Sequence, residues 1–264
     1  MRRTDRLAAI LAALDADGSI DVVELADRLS VSAATLRRDL ALLEEERLLA
    51  RTHGGAVTTG VAYPLHNRLR DDRRDLKRAL ARVAASRVPA GPQVVALTGG
   101  VVTPGVAREL ADRDRLTVVT NALDIAADLA MRPRLKVVVT GGVTRPKSYS
   151  LAGPWAEHLL RNVTIGTAFV EVDALTADGG LMTDDEVEAR TVRALVERAA
   201  RTIVLADGSR LGRIMLAHIV PVTDVDEVLT DATAHPAQVT ALRDAGAMVT
   251  VVADGDPDES PAGA

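Results

Sequence analysis

The chain has 264 residues, 47% hydrophobic and 26% charged, a composition that suits a globular protein of one large domain or two unequal ones. Its net charge of −5 excludes a surface coated in basic residues, and 2% aromatics leave Tyr63, Tyr149, Trp155 and Phe169 too sparse to form a stacking platform for single-stranded nucleic acid. The absence of cysteine excludes disulfides, zinc fingers and a thiol nucleophile, and none of the five histidines falls in a metal-ligand pair.

A first helix is expected over residues 3–14, where Leu7, Ile10, Leu11 and Leu14 share one face. Asp15-Ala16-Asp17-Gly18 breaks it. A second short helix fits 22–29 with Asp21 as N-cap, and Ser30-Val31 makes a tight connection. The third helix starts at Ser32, a good N-cap, with Val31 and Leu36 in the two positions of a hydrophobic staple. Leu36, Leu40 and Leu43 then point inward, leaving Ala33, Ala34, Thr35, Arg37 and Arg38 mostly outward on the first turns. The run 48–57 reads as a two-stranded wing with a turn at Gly54-Gly55.

Three short helices and a wing within residues 1–57 match a winged helix-turn-helix. Ala33 and Ala34 permit close approach to a major groove. Arg37 and Arg38 reach guanine edges or phosphates, and Ser32 and Thr35 can donate to phosphate. Arg51 and His53 on the wing are placed for the adjacent backbone or minor groove. On charge alone the arginine pair reads as a solvated face rather than a DNA contact, with Asp39 and Glu44-Glu45-Glu46 near enough to pair with it.

The ordered pattern is more specific. "VSAATLRRDLALLEEERLLARTHGGAV" resembles the DeoR family of bacterial transcription regulators. That family's signature is Val-Ser, two variable residues, Thr, an aliphatic residue and Arg-Arg-Asp-Leu, then Arg, a variable residue and His-Gly-Gly-Ala; every fixed element is present from Val31 to Ala56. The resemblance implies that Ser32, Thr35, Arg37 and Arg38 belong to the DNA-reading helix and Arg51 and His53 to the wing. It also implies that Leu25, Ala26 and Leu29 are core residues of the preceding helix.

Residues 58–75 are polar and read as a linker that becomes helical; a helix then runs to Arg87 on Leu76, Leu80, Val83 and Ala84. Beyond Pro89-Ala90-Gly91-Pro92 the chain alternates. Short β-branched runs lie at 93–97, 116–120, 136–140, 167–172, 202–206, 227–229 and 248–252. Helical patterns lie at 104–111, 122–131, 154–161, 185–200 and 236–245. Near-continuous apolar strands between helices predict a mostly parallel sheet covered on both faces, over residues 76–252. The acidic, Pro- and Gly-rich end at 253–264 predicts a disordered tail. No run of about 18 apolar residues and no apolar signal core occurs, so the expectation is a cytoplasmic protein with no membrane partner.

Gly-rich turns after parallel strands expose backbone N–H groups beside helix N-termini and so favour anions. Gly99, Gly100 and Thr103, with Thr103 as cap and Pro104 at the first helical position, form one such turn. Thr120-Asn121 and Gly141-Gly142 form a second and a third; each alone is also what a tight turn in a packed α/β domain looks like. The resemblance extends to about Asp231 and implies a sensor domain like the ribose-phosphate isomerase and glucosamine-phosphate deaminase fold, binding a phosphorylated sugar or related metabolite. The matching pieces are "LTVVTNALDIAADLA", "VVVTGG", "ADGGLMTDDEVEA" and "LADGSRLGR".

The chain departs from the family pattern in that domain. Where the family commonly reads Asp-Ser-Gly-Thr-Thr, this chain has Thr98-Gly99-Gly100-Val101-Val102, and Val192 stands where a lysine is common. Gly208-Ser209-Arg210 replaces Ser-Ser-Lys and keeps a cation. Asp173, Asp178, Glu186 and Asp207 remain polar pocket candidates. Fewer hydroxyl and lysine donors predict an effector of lower charge, or none.

The expected function is therefore a DNA-binding regulator, most often a repressor of a carbohydrate or small-metabolite operon in this family. Its expected partners are double-stranded operator DNA, a small effector and further copies of itself, with no cofactor and no metal. The alternative is a sugar-phosphate isomerase- or deaminase-like enzyme with an added DNA-binding domain; the missing acid at Thr98 and lysine at Val192 weigh against it.

Overall fold

The computed structural model describes residues 6–7, 9–10, 13–14, 19–45, 49–52, 54–58, 74–145 and 147–253. The chain forms two compact units, Met1–Asp72 and Arg73–Ala264.

In the first unit, the described residues among 6–14 are helical. They are followed by β1 (Ser19–Asp21), α1 (Val22–Arg28), α2 (Ala33–Glu45), β2 (Leu49–Arg51) and β3 (Gly55–Thr58). Asp21 caps α1, accepting from the N–H groups of Val23 and Glu24 at 2.7 and 3.1 Å. The helix ends in a tight turn: Ser30 takes a left-handed φ of 53°, and the Val31 N–H returns to the Ala26 carbonyl at 2.9 Å. Ile10, Leu14, Leu25, Leu36, Leu40, Leu43 and Leu49 form the core.

The wing differs from the sequence expectation. It has three strands, in the order β1-β3-β2, all antiparallel. Gly55 is required less for a turn than for close approach: a Cβ there would lie 1.7 Å from the Ile20 carbonyl oxygen. Thr58 ends β3 and the next helix begins at Arg74. Residues 59–73 of the expected linker and 254–264 of the expected tail lie outside the described residues.

The second unit opens with α3 (Arg74–Ser86), β4 (Gln93–Leu97), α4 (Thr103–Leu110), β5 (Leu116–Thr120), α5 (Leu123–Ala130) and β6 (Lys136–Val139). A hairpin of β7 (Val143–Arg145) and β8 (Ser150–Ala152) leads into α6 (Pro154–Arg161) and β9 (Ile165–Glu171). The chain continues through β10 (Ala174–Thr176), β11 (Gly180–Thr183), α7 (Glu186–Val196), β12 (Ala199–Leu205) and β13 (Ala217–His218). It closes with β14 (Glu227–Asp231), α8 (Pro236–Asp244) and β15 (Val249–Val252).

Seven strands form one parallel sheet in the order β15-β14-β12-β9-β4-β5-β6. Alternate residues of each strand feed opposite layers. Val95, Leu97, Phe169, Ile203 and Leu205 pack with α3, α4 and α5, while Ala96, Ala168, Val170 and Val204 pack with α7 and α8. Burial on both faces is why these strands read as continuous apolar runs. Two expectations need adjustment: α7 stops at Val196 rather than at 200, because Ala199 already pairs with Ile165, and a small sheet β10-β11-β13 stands apart from the main one.

One buried charge ties the sheet's edge together. Glu227, 1% exposed, accepts from the Arg87 guanidinium at 3.0–3.1 Å, from Arg201 at 2.9 Å and from the Thr250 hydroxyl at 2.9 Å. Burial works to raise its pKa, but the hydrogen bonds from Arg87 and Thr250 and the charges of Arg87 and Arg201 outweigh it and hold the carboxyl below its ordinary 4.5. Glu227→Gln is expected to cost about 2 kcal/mol, less than for a fully buried pair because both arginines reach water. A lowered pKa means this stabilisation is complete above pH 4.5 and is lost as pH falls through the depressed value. Urea unfolding of both proteins from neutral to acid pH checks this: their difference should shrink in acid, and a constant difference would contradict the assignment.

Candidate DNA interface and ligand crevice

The helix α2 starts as its sequence implies. The Ser32 hydroxyl accepts the Thr35 N–H at 3.1 Å, and the two hydroxyls hydrogen-bond to each other at 2.8 Å. Leu36, Leu40 and Leu43 are buried, and Ala34, Arg37 and Arg38 are exposed. Among the described residues, the neighbouring acids Asp39 and Glu44 have partners away from this face. Asp39 turns inward, 3% exposed, and binds the Arg6 guanidinium, one of the two hydrogen bonds being 3.1 Å. Glu44 serves the wing instead, accepting the Arg51 N–H at 3.0 Å and sitting 3.8 Å from the Arg51 guanidinium. Arg37 and Arg38 pair with no carboxylate among the described residues. The Glu45 side chain, Glu46 and the predicted wing residue His53 lie outside the described residues.

An outward helix face with two guanidinium groups that pair with no carboxylate among the described residues, flanked by short side chains and two hydroxyls, has the shape and charge to enter a major groove. Arg51, exposed on β2, supplies a further cation on the wing.

In the second unit the chain runs outward from β4 through β5 to β6, then returns to place β9 on the other side of β4. The carboxyl ends of β4 and β9 therefore flank a topological switch point, where open parallel sheets form their ligand crevice. The structure brings Thr98, Gly99, Gly100 and Thr103 to this point. The Thr98 hydroxyl accepts the Glu171 N–H at 2.9 Å, joining the two strand ends. The Glu171 carboxylate in turn accepts the backbone N–H groups of Val101 at 2.7 Å, Val102 at 2.8 Å and Thr103 at 3.3 Å. The expected cap at Thr103 is thereby corrected: α4 begins at Thr103 itself, without a side-chain cap, and Glu171 satisfies its first N–H groups.

Thr120 and Asn121 end the adjacent strand β5. The Thr120 hydroxyl donates to the Leu97 carbonyl at 2.7 Å, and the Asn121 side-chain N–H donates to the Leu151 carbonyl at 3.1 Å. The Asn121 amide oxygen and the Thr103 hydroxyl are buried without a hydrogen-bond partner among the described residues. Gly141 and Gly142 take φ of 69° and 122°, but they lead into the β7–β8 hairpin and not into a helix, so no helix N-terminus stands there.

Asp173, Asp207 and Arg210 form one network. Arg210 donates to Asp173 at 2.7 Å and lies 3.8 Å from Asp207, while Asp173 also accepts the Thr183 hydroxyl at 2.8 Å. Asp178 sits in the exposed turn between β10 and β11, and Glu186 is exposed in the first turn of α7. Val192 is part of the hydrophobic core, so valine there is a packing residue.

A second polar group borders the crevice. Glu188 on α7 accepts from the Ser148 and Ser150 hydroxyls, both at 3.2 Å, and lies 3.5 Å from Arg145, which also pairs with Asp185. Burial pushes the Glu188 carboxyl above its ordinary pKa; the two serines pull it back, Asp173 raises it and Arg145 lowers it. A Cβ on Gly99 would lie 3.2 Å from both the Ser148 carbonyl and the Ser150 hydroxyl oxygen, so this group adjoins the Gly99-Gly100 loop.

Comparison with known proteins decides the family. A DeoR-like helix-turn-helix domain matches residues 6–60, and a DeoR C terminal sensor domain matches residues 72–232. The chain belongs to the DeoR family of transcriptional regulators. It is 33% identical over 253 residues to the uncharacterized HTH-type transcriptional regulator YulB of Bacillus subtilis (strain 168), covering 94% of this chain and 96% of that one. It is 29% identical over 234 residues to the glycerol-3-phosphate regulon repressor of Escherichia coli (strain K12), covering 88% and 92%. A solved ribose 5-phosphate isomerase A from Methanocaldococcus jannaschii matches at 20% identity and a TM-score of 0.38, over 53% of this chain and 55% of that one.

Within this DeoR regulator, the residues that sequence reasoning missed are Glu171, Arg145, Ser148, Ser150 and Glu188. Glu171 sits at the end of an apolar strand and meets its loop 70 residues away, so no local pattern announces it. The pair Ser148 and Ser150 ahead of "DDEVEA" offered the only signal for the second group, and it is a weak one. Among the described residues no helix is long and apolar enough to cross a membrane, and no group of three or more His, Cys, Asp or Glu could hold a metal ion.

Proposed function

We propose that this chain is a cytoplasmic repressor of a carbohydrate or small-metabolite operon, which binds operator DNA through α2 and the wing and is released by a small carbohydrate-type effector. The observation that carries the DNA reading is the pair Arg37 and Arg38, exposed and without a carboxylate partner among the described residues on a helix capped by Ser32. Ser32, Thr35 and Arg51 contribute phosphate contacts around it, with His53 on the wing. One recognition helix reads one half-site, so the active form is a homodimer or higher oligomer on a repeated operator.

The effector occupies the crevice at the carboxyl ends of β4, β5 and β9, bounded by Thr98, Gly99, Gly100, Thr103, Thr120, Asn121, Gly141 and Gly142. Asp173, Asp207 and Arg210 hold its other wall. The buried Asn121 amide oxygen, without a hydrogen-bond partner among the described residues, marks this end of β5 as a polar spot in the crevice. The crevice serves as a sensor rather than a catalyst. Asp173 is hydrogen-bonded to Arg210 and Thr183, and Glu171 to three backbone N–H groups, which supports a structural role for both in a sensor.

Footprinting on the DNA upstream of its own gene tests the reading. Protection of two repeats on one face of the duplex is expected, with affinity falling steeply as salt rises because phosphate contacts release counterions. Absence of any protected site at low salt across that region and the neighbouring operons would sink it.

A further inference from the structure

The loop between β4 and α4 is built as an anion cradle. Three successive N–H groups converge at a helix N-terminus beside the switch point, an arrangement that ordinarily receives a ligand phosphate or carboxylate. Here all three already bind one side chain, the Glu171 carboxylate, at 2.7, 2.8 and 3.3 Å. The surroundings are fitted to that occupant. Gly100 has no Cβ, and one placed there would lie 2.0 Å from the Glu171 Oε2. Thr98 fixes the Glu171 backbone. Val102, 2% exposed, and the partly buried Val101 pack into the core beneath, so neither adds a hydroxyl for a phosphate.

We propose that Glu171 is a built-in anion that fills this cradle, and that it is the specificity-determining residue which excludes phosphate from the switch point and leaves the crevice to an uncharged, hydroxyl-rich ligand. This rests on the reading of the crevice as the effector site. A second anion beside Glu171 would have no free N–H groups to receive it and would meet like charge at contact distance. The polar groups beside Glu171 suit hydroxyls rather than a second anion: the Ser148, Ser150 and Glu188 group against Gly99, and the buried Asn121 amide oxygen, without a hydrogen-bond partner among the described residues.

The test is thermal unfolding of the full chain with inorganic phosphate as probe, against chloride at equal ionic strength. Wild type is expected to show no specific shift. Glu171→Ala empties the cradle and is expected to gain a saturable rise of about 3 °C in phosphate. Glu171→Gln keeps an acceptor and the bulk, and should stay insensitive. A rise in wild type equal to that in Glu171→Ala overturns the proposal, and so does a folded Glu171→Ala with no response. If Glu171→Ala does not fold, the wild-type amide signals of Val101, Val102 and Thr103 decide: unmoved by phosphate they support it, and displaced they refute it. Free sugars and polyols are titrated separately against operator binding. If none releases DNA, the effector reading fails while the filled cradle still stands.

Discussion

Arg37→Ala and Arg38→Ala are each expected to weaken operator binding while leaving the fold intact. Both side chains are exposed and lack a carboxylate partner among the described residues, so truncation removes no internal contact among them and should change stability by no more than about 0.5 kcal/mol. Their cost falls on DNA. An arginine bidentate to a guanine edge contributes about 1–3 kcal/mol of discrimination, so its loss weakens the cognate site by roughly 5- to 150-fold and relaxes preference at one base pair. An arginine on phosphate behaves differently: binding weakens on every sequence, and the salt slope falls by about 1. Anisotropy titrations of both variants on the operator, on single-base variants of it and on unrelated DNA, at several salt concentrations, assign the two roles. Unchanged affinity in both variants would remove α2 from the interface.

Leu36→Ala is expected to fail by the opposite route. Leu36 is fully buried beside Leu25, Leu40 and Leu49 in the small core of the first unit, and it also closes the staple with Val31. Deleting its isobutyl group costs about 2–5 kcal/mol, the transfer term plus the cavity left behind. A unit of this size has only a few kcal/mol to lose, so a substantial fraction should unfold at ordinary temperature. Operator binding then disappears at every salt concentration and on every sequence, and the far-UV signal of the α/β unit persists. Calorimetry separates this from the arginine variants. A normal melting profile with intact operator binding would mean that Leu36 is not the anchor its burial indicates.

The two predictions meet on one helix, and the difference between them was legible in the sequence. A 3.6-residue repeat of leucines must face a core, and that places Arg37 and Arg38 on the other side whatever the tertiary detail. Ser32 caps through its local partner Thr35, three residues on, so that cap is visible in any window of the chain. The alternation of apolar strands with helices likewise declared a parallel sheet, because strands buried on both faces must be apolar throughout.

Other features depended on residues that meet only after folding. Asp39 looked like a neighbour that could neutralise the arginines, yet it turns inward to Arg6, 33 residues away. Ser19–Asp21 has no strand signal of its own and becomes a strand only because β3 is there to pair with it. Gly55 read as part of a turn, but its need for glycine comes from the Ile20 carbonyl across that pairing. Gly141-Gly142 resembled a strand-turn-helix and opens a hairpin instead.

The sequence by itself therefore determined the family and the helix α2 with its exposed arginines, since each rests on local periodicity, capping or an ordered motif. The tertiary structure alone decided what fills the N–H cradle between β4 and α4. Glu171 and the N–H groups it satisfies are far apart in the chain, and only the return of β9 to the side of β4 lets one carboxylate reach all three.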